Sequence, residues 1–313
     1  MDFKSFLIIR PSSLGNVLHA LMLTQTIRDH FPDATIDFLV RDRFAAIVET
    51  CAAVDNLIIF ERKKNPLAFL GLLKTIRKKR YDAVLDVQAQ FRTGLMIAAA
   101  KSDLKIGRHD AREGSGFFCN KIIELPPNPQ PHQVDTFLQF LPALGKPPTL
   151  GSPVRFNTPN ISTVDRRLLS SPPILLLPHS RGKEKEWPYF KELTRRILKE
   201  MPDLMIVWDS HIPIPSVEFD KDSNFLNTTG KTSIREMISL IETACIVVAN
   251  DTGPMHISAA LKKPTIALFG PTKVEKYGAY PLDGANNINI QSASQKMSDI
   301  SVELVFNSIR TLL

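Results

Sequence analysis

Short apolar runs alternate with amphipathic stretches along the whole chain. "FLII" (residues 6–9) leads into a helical pattern over about 16–29, and "TIDFLV" (35–40) into another near 42–51. "NLIIF" (56–60) precedes "PLAFLGLLKTIRKKR", and "AVLDV" (83–87) precedes "FRTGLMIAAA". Apolar strands separated by helices predict a parallel, doubly wound sheet, because a parallel strand pair needs a crossover to return the chain to the same edge. The stretch "ELPPNPQPHQ" (124–133), with four prolines, breaks the pattern. A helix, "VDTFLQFLPALG", follows, and then "KPPTLGSPVRFNTPN" reads as a linker.

The alternation then restarts. "ILLL" (174–177) precedes a helix predicted to open at Pro188, a favoured first helical position. "LMIVW" (204–208), "CIVVAN" (245–250) and "TIALF" (265–269) supply further strands, and the last helix spans about 297–313. The expected architecture is α/β: two Rossmann-like domains, residues 1–155 and 156–313, with parallel sheets facing a central cleft. No short-period repeat of the solenoid kind interrupts it.

Composition narrows the setting. A chain of 313 residues with 43% hydrophobic and 23% charged residues suits a soluble protein of two ordinary domains. No apolar run approaches the ~18 residues of a membrane span, and no charged leader precedes an apolar stretch, so the expected location is the cytoplasm. Cys51, Cys119 and Cys245 are odd in number and widely spaced, which suggests neither a disulfide framework nor a zinc site. A net charge of +7 favours an anionic partner: nucleic acid, nucleotide, phosphorylated glycan or membrane surface.

Four stretches carry candidate chemistry. In "RPSSLGN" small residues allow a tight turn after a strand, and free N–H groups at the following helix start favour an anion, with Ser12 and Ser13 as hydroxyl donors. The same spacing also describes a plain strand-to-helix turn with Asn16 as helix cap. In "VVANDTGPMHISAAL" a strand ends at Asp251, Thr252 and Gly253, where α/β sheets bind ligands. A diphosphate suits the N–H groups of Gly253, Met255 and His256, and Asp251 suits sugar hydroxyls; a simple capped helix start is the competing reading. "SRGKEKEWP" places Arg181, Lys183 and Lys185 beside a further helix start, able to neutralise a diphosphate leaving group. Glu184 and Glu186 interleave with them, as in a solvated charge run, more so around Lys183 than around Lys185.

The fourth stretch is "ERKKNPLAFLGLLKTIRKKR". Leu67, Leu70, Leu73 and Ile76 recur every three residues, with Lys74, Arg77, Lys78 and Arg80 mostly on the other side and Arg62, Lys63 and Lys64 ahead of them. Such an amphipathic cationic helix suits an anionic membrane surface or a phosphorylated acceptor, although a solvated helix face has the same pattern. Nucleic acid is disfavoured, since aromatics are not interleaved and no nucleic-acid motif accompanies the cluster. "DKD" at 220–222 is too short a pattern to carry a metal site, and no protein-held metal is expected.

Together these residues resemble the ADP-heptose lipopolysaccharide heptosyltransferases of glycosyltransferase family 9. The opening signature of that family stands here as "PSSLGNVLHALM", and its donor signature as "DTGPMHISAALKKPTIALFGPT". The likeness extends through "YDAVLDVQAQFRTGLM", "DAREGSGFFCN", "HQVD" and "KEWPYF". It implies a GT-B fold, with the acceptor on the N-terminal domain and the nucleotide sugar on the C-terminal one; the last helix becomes a candidate to pack back on the first domain. It also implies an inverting transfer of L-glycero-D-manno-heptose from ADP-heptose, as co-substrate, to a Kdo residue of the lipid A inner core. By matching motif, Ser180, Arg181, Lys185, Asp251, Thr252, Gly253 and His256 hold the donor, and Thr232 in "GKTS" lies near adenine. Ser12, Ser13, Gly15, Arg62, Lys63, Lys64 and Arg112 serve the acceptor. The resemblance further implies a monomer acting at the inner face of the inner membrane, with no nucleic-acid partner.

The chain departs from the family at one informative position: Asn16 stands where the family has an aspartate that acts as general base. A positioned base typically contributes about 10²- to 10⁴-fold, and an amide is essentially non-basic. Three readings follow: a binder that no longer turns over, a substitute base such as His19 on the same helical face, or a paralogue with a different donor or acceptor whose catalysis rests on positioning and electrostatics. The preferred expectation is an enzyme with reduced or unconventional base catalysis.

Overall fold

The computed structural model describes residues 3–62, 66–161, 164–169 and 171–313. The chain divides into two compact units, Met1–Phe156 and Asn157–Leu313.

The first unit contains, in order, β1 (Ser5–Ile9), α1 (Leu14–His30), β2 (Thr35–Arg41), α2 (Ala45–Glu49), β3 (Asn56–Phe60), α3 (Pro66–Lys78), β4 (Ala83–Asp86), α4 (Phe91–Ala99), β5 (Leu104–Arg108), β6 (Lys121–Ile123) and α5 (Gln133–Leu138). Its six strands are ordered β3-β2-β1-β4-β5-β6, and every pairing is parallel. Phe6, Leu7, Ile8 and Ile9 are fully buried. Strands covered by helices on both faces must be apolar throughout, which is why β1 reads as a continuous run. Chain direction through the sheet reverses between β1 and β4, so the crevice at their carboxyl ends is the natural ligand site of this unit.

Three expectations change here. The helix expected near 42–51 is a 3-10 turn, Asp42–Phe44, followed by the short α2. "VDTFLQFLPALG" does not form one helix: α5 stops at Leu138, and a 3-10 turn at Pro142–Leu144 follows, where proline cannot donate to a continuing α-helix. Much of the predicted linker is instead tied to α1. Gly151 donates its N–H to Thr26 Oγ1 (3.1 Å) and Ser152 to Asp29 Oδ2 (2.6 Å).

The inward face of α3 is also rotated from the predicted one. Ile76 is buried, and Phe69, Leu72 and Leu73 pack against the same cluster. Leu67 and Leu70 are exposed. Spacing of three is shared by several stripes of one helix, and the aromatic Phe69 decides which one faces the core.

The second unit repeats the plan with β7 (Ile174–Leu177), α6 (Phe190–Glu200), β8 (Ile206–Trp208), β9 (Phe225–Asn227), α7 (Ile234–Thr243), β10 (Ile246–Asn250), α8 (Gly253–Ala260), β11 (Thr265–Phe269), α9 (Val274–Tyr277), β12 (Asn287–Gln291) and α10 (Val302–Leu312). The order is β12-β11-β10-β7-β8-β9, again parallel at every pairing. The reversal falls between β7 and β10. Helix α6 begins two residues beyond the predicted Pro188. Its core includes Trp187, Trp208, Phe219 and Phe225, and the indole of Trp208 donates to Thr194 Oγ1 at 2.9 Å. Helix α10, the candidate for packing on the first domain, buries Val305, Phe306 and Ile309 in the core of its own unit. No helix among the described residues is long and apolar enough to cross a bilayer.

Candidate active site

At the carboxyl end of β10, Asn250 is completely buried and holds both ends of the β7–α6 connection. Its Oδ1 accepts the Trp187 N–H and its Nδ2 donates to the Pro178 carbonyl, both at 3.0 Å. The segment after β7 is thereby held beside the start of α8. There Lys185 Nζ lies 2.7 Å from Asp251 Oδ2, and Thr272 Oγ1 donates to the same oxygen at 2.7 Å. Lys185 is half-buried, whereas Lys183 and Arg181 are exposed.

Thr252 is the N-cap of α8 in extended conformation and Pro254 occupies its first turn. Helix geometry leaves the Gly253 and Met255 amides aimed out of the N-terminus. The His256 amide, predicted to join them, instead donates to Thr252 O within the helix. The His256 imidazole is almost fully buried; burial pushes its pKa down to about 4, the Lys185 charge acting in the same direction against Asp251. It is therefore neutral at physiological pH. A cation, two outward amides and a carboxylate gathered at a helix start can take a diphosphate and its sugar.

Two neighbouring features escaped the sequence reading. Glu186 is not part of a solvated charge run: its Oε1 accepts the Ser180 N–H at 3.0 Å and lies 2.7 Å from His179 Nδ1. The His179 and His211 rings are 4.7 Å apart, and burial, with His179 and Arg181, lowers the pKa of His211. Farther along the sheet, Thr232 donates to Asp209 Oδ1 at 2.7 Å and Thr228 to the same atom at 3.0 Å. Asp209 is buried at the end of β8, and desolvation pushes its pKa up to about 6 despite those donors. The hydroxyl proton of Thr232 is thus committed to Asp209. Spacing in the sequence marks none of these pairings: Glu186 reaches His179 and Ser180 only as the β7–α6 loop folds back on itself, and Asp209 meets Thr228 and Thr232 from a loop at a different strand end.

In the first unit the N-cap of α1 is Ser13, not Asn16. Asn16 lies in the first helical turn, where its Nδ2 donates to Ser13 Oγ at 3.3 Å. Its Oδ1 is buried with no hydrogen-bond partner, an arrangement that costs about 1–3 kcal/mol until a donor arrives. Gly15 precedes it in that turn, and the Ser12 N–H reaches Gln88 Oε1 at 3.3 Å, across the β1/β4 crevice. His19, one turn deeper, is 2% exposed and meets His132 edge-on at 5.2 Å. It belongs to the packed interior rather than to the open crevice.

Behind the crevice Arg10 and Arg108, both buried, donate to the Val87 carbonyl at 2.7 and 3.3 Å and lie over the Phe137 ring. Asp86 beside them accepts from the Gln88 and Ala89 amides and from Thr93. Burial lifts its pKa to about 6. Burial and the charge of Arg108 lower the Arg10 pKa to about 9, still cationic at neutral pH. Arg112 is exposed, with its N–H on Ala89 O at 3.0 Å, so Ser12, Gln88, Ala89 and Arg112 form one connected edge. Arg62 is exposed just past β3 on the same edge of the sheet. Lys63 and Lys64 lie outside the described residues.

Comparison with known proteins identifies the family and the fold. The sequence profile of the family described as Glycosyltransferase family 9 (heptosyltransferase) matches residues 69–307. The chain is 25% identical to the lipopolysaccharide core heptosyltransferase OpsX of Haemophilus influenzae, over 96% of this chain and 89% of that one. It is 26% identical to lipopolysaccharide heptosyltransferase 1 of Salmonella typhimurium, over 97% and 99% of the two chains. Among solved structures, the Escherichia coli heptosyltransferase WaaC with ADP aligns with a TM-score of 0.79 at 23% identity, covering 99% of this chain and 100% of that one. A family 9 glycosyltransferase from Veillonella parvula aligns with a TM-score of 0.81 at 19% identity, covering 99% and 97%. The fold is GT-B.

Proposed function

Because the chain belongs to glycosyltransferase family 9, the heptosyltransferases, we propose that it transfers L-glycero-D-manno-heptose from ADP-heptose to a Kdo residue of the lipid A inner core, with inversion. The observation that carries this reading is the cluster of Lys185, Asp251, Thr272 and the start of α8 at the β7/β10 crevice. The relative named for its bound ADP, and those named as lipopolysaccharide heptosyltransferases, support the donor and the product class.

In this reading the donor diphosphate is met by Lys185, Arg181 and the Gly253 and Met255 amides rather than by a protein-held metal. Asp251 and Thr252 face the heptose, Ser180 the phosphates, and Thr232 the adenosine. The acceptor hydroxyl oxygen bonds to the anomeric carbon while the bond to the diphosphate oxygen breaks, and ADP leaves with that electron pair. Asn16 Oδ1 accepts a hydrogen bond from the attacking hydroxyl and orients it, but an amide cannot hold the proton, which passes to solvent. Orientation and charge neutralisation still lower the barrier, so turnover is slow rather than absent. Ser12, Ser13, Arg62 and Arg112 take the acidic groups of the acceptor. The enzyme works as a cytoplasmic monomer at the inner membrane face, without nucleic acid.

Turnover of ADP-heptose on Kdo-lipid A tests the reading. A related transferase with a different nucleotide sugar would show a larger thermal shift with UDP or GDP than with ADP, because a ligand that binds only the native state stabilises it by mass action. The burial of His19 and the amide at position 16 also favour a second reading, a donor- and acceptor-binding homologue without turnover. ADP binding with no detectable product would identify it.

A further inference from the structure

The outer face of α3 is not accounted for by the core beneath it. Phe69, Leu72, Leu73 and Ile76 face inward at the spacing of one helical stripe. The opposite stripe opens with Leu67 and Leu70, 73% and 52% exposed. It continues through Gly71, Lys74, Arg77 and Lys78, all exposed. Apolar residues therefore stand at one end of a solvent-facing stripe and cations at the other.

The charges on this stripe are uncompensated. The helix contains no acidic residue. Lys79 pairs with Asp37 and Arg80 with Asp103, whereas Lys74, Arg77 and Lys78 have no carboxylate partner among the described residues. Gly71 sharpens the picture, because a Cβ built there meets nothing within 4 Å. Packing does not require glycine at that point, and glycine weakens a helix interior. Its effect is to keep the middle of the stripe flat, so that a broad surface can approach the backbone.

We infer that this stripe lays α3 along an anionic lipid bilayer, with Leu67 and Leu70 entering the headgroup boundary and Lys74, Arg77 and Lys78 meeting lipid phosphates. The inference rests on the membrane reading above and adds the surface that carries it. A second copy of the chain fits poorly as occupant, since the same stripe face to face sets cations against cations in one orientation and against Leu67 and Leu70 in the other, and the helix has no acidic residue to complement them.

Co-sedimentation of the full chain with vesicles of phosphatidylcholine, with and without phosphatidylglycerol, tests this. The expected result is partition onto the phosphatidylglycerol vesicles only, weakened by salt. Lys74→Gln with Lys78→Gln should lower the partition by about fivefold per charge removed, and Leu67→Asn with Leu70→Asn should lower it as well. All four side chains are exposed, and an unchanged thermal shift with ADP verifies folding and an intact donor site in each variant. If the parent binds anionic vesicles and both double variants bind equally well, the surface assigned here is wrong while the membrane reading stands. If the parent binds neither vesicle, both fall, and the ADP shift still reports on the transferase reading separately.

Discussion

Lys185 and Asp251, 66 positions apart in sequence, meet at 2.7 Å, and Thr272 donates to the same carboxylate oxygen. The pair presets the lysine beside the α8 N-terminus and also restrains it, since a diphosphate must compete with Asp251 for the ammonium. Lys185→Gln should weaken ADP binding by about 10- to 100-fold, the worth of a hydrogen bond to a charged group. Asp251→Asn should preserve or tighten ADP binding while lowering heptose transfer. Calorimetric titration with ADP, alongside turnover, checks both; a Lys185→Gln protein that binds ADP like the parent counts against the donor site proposed for the second unit.

Asn250 holds this site from below. Asn250→Ala leaves the Trp187 amide and Pro178 carbonyl without their partner, and each buried group left unpaired costs about 1–3 kcal/mol. Urea unfolding should show that loss, together with weaker ADP binding as the Lys185 loop loosens. Unchanged stability would mean that water replaces both bonds.

Asp209 gives a pH dependence with a defined sign. Its pKa is about 6 in the folded protein against 3.8 as the ordinary value, so between those values the native state holds the proton more often than the unfolded chain does. Stability from this group is present below about 3.8 and is lost as pH rises through about 6. Asp209→Asn keeps an oxygen for Thr228 and Thr232 but does not ionise. The Tm of the variant relative to the parent should therefore rise between pH 4 and pH 7. A difference that stays flat over that range would show that Asp209 titrates normally.

Gly71 is exposed in the middle of α3 with open space around its missing side chain. Gly71→Ala should stabilise the protein by about 0.5–1 kcal/mol, read as a higher urea midpoint at unchanged slope. A destabilised variant would reveal a contact at that stripe within the protein itself.

How much was legible in the sequence follows from what each element depends on. Strands such as β1, β7 and β11 are buried and almost entirely apolar, so composition alone announces them. β5 carries Lys105 and Arg108, and β9 is three residues long; neither has a pattern that stands out before its neighbours are in place. The turn at Ser12 to Asn16 and the start of α8 were visible because strand, small residues and helix adjoin in the chain. Thr272 beside Asp251, Glu186 beside His179 and Asp209 beside Thr232 were not. The first and third pairs form only when the sheet brings separate loops to one edge, and the second only when the β7–α6 loop folds back on itself, so nothing in local spacing encodes them.

If the amide at position 16 limits a heptosyltransferase that otherwise works, the comparison of the parent with Asn16→Asp in ADP-heptose transfer to Kdo-lipid A will expose it. The parent should turn over slowly, and Asn16→Asp should gain about 10²- to 10⁴-fold in kcat with ADP affinity unchanged. No transfer by either protein, with ADP still bound by both, would show that position 16 is not what limits this chain.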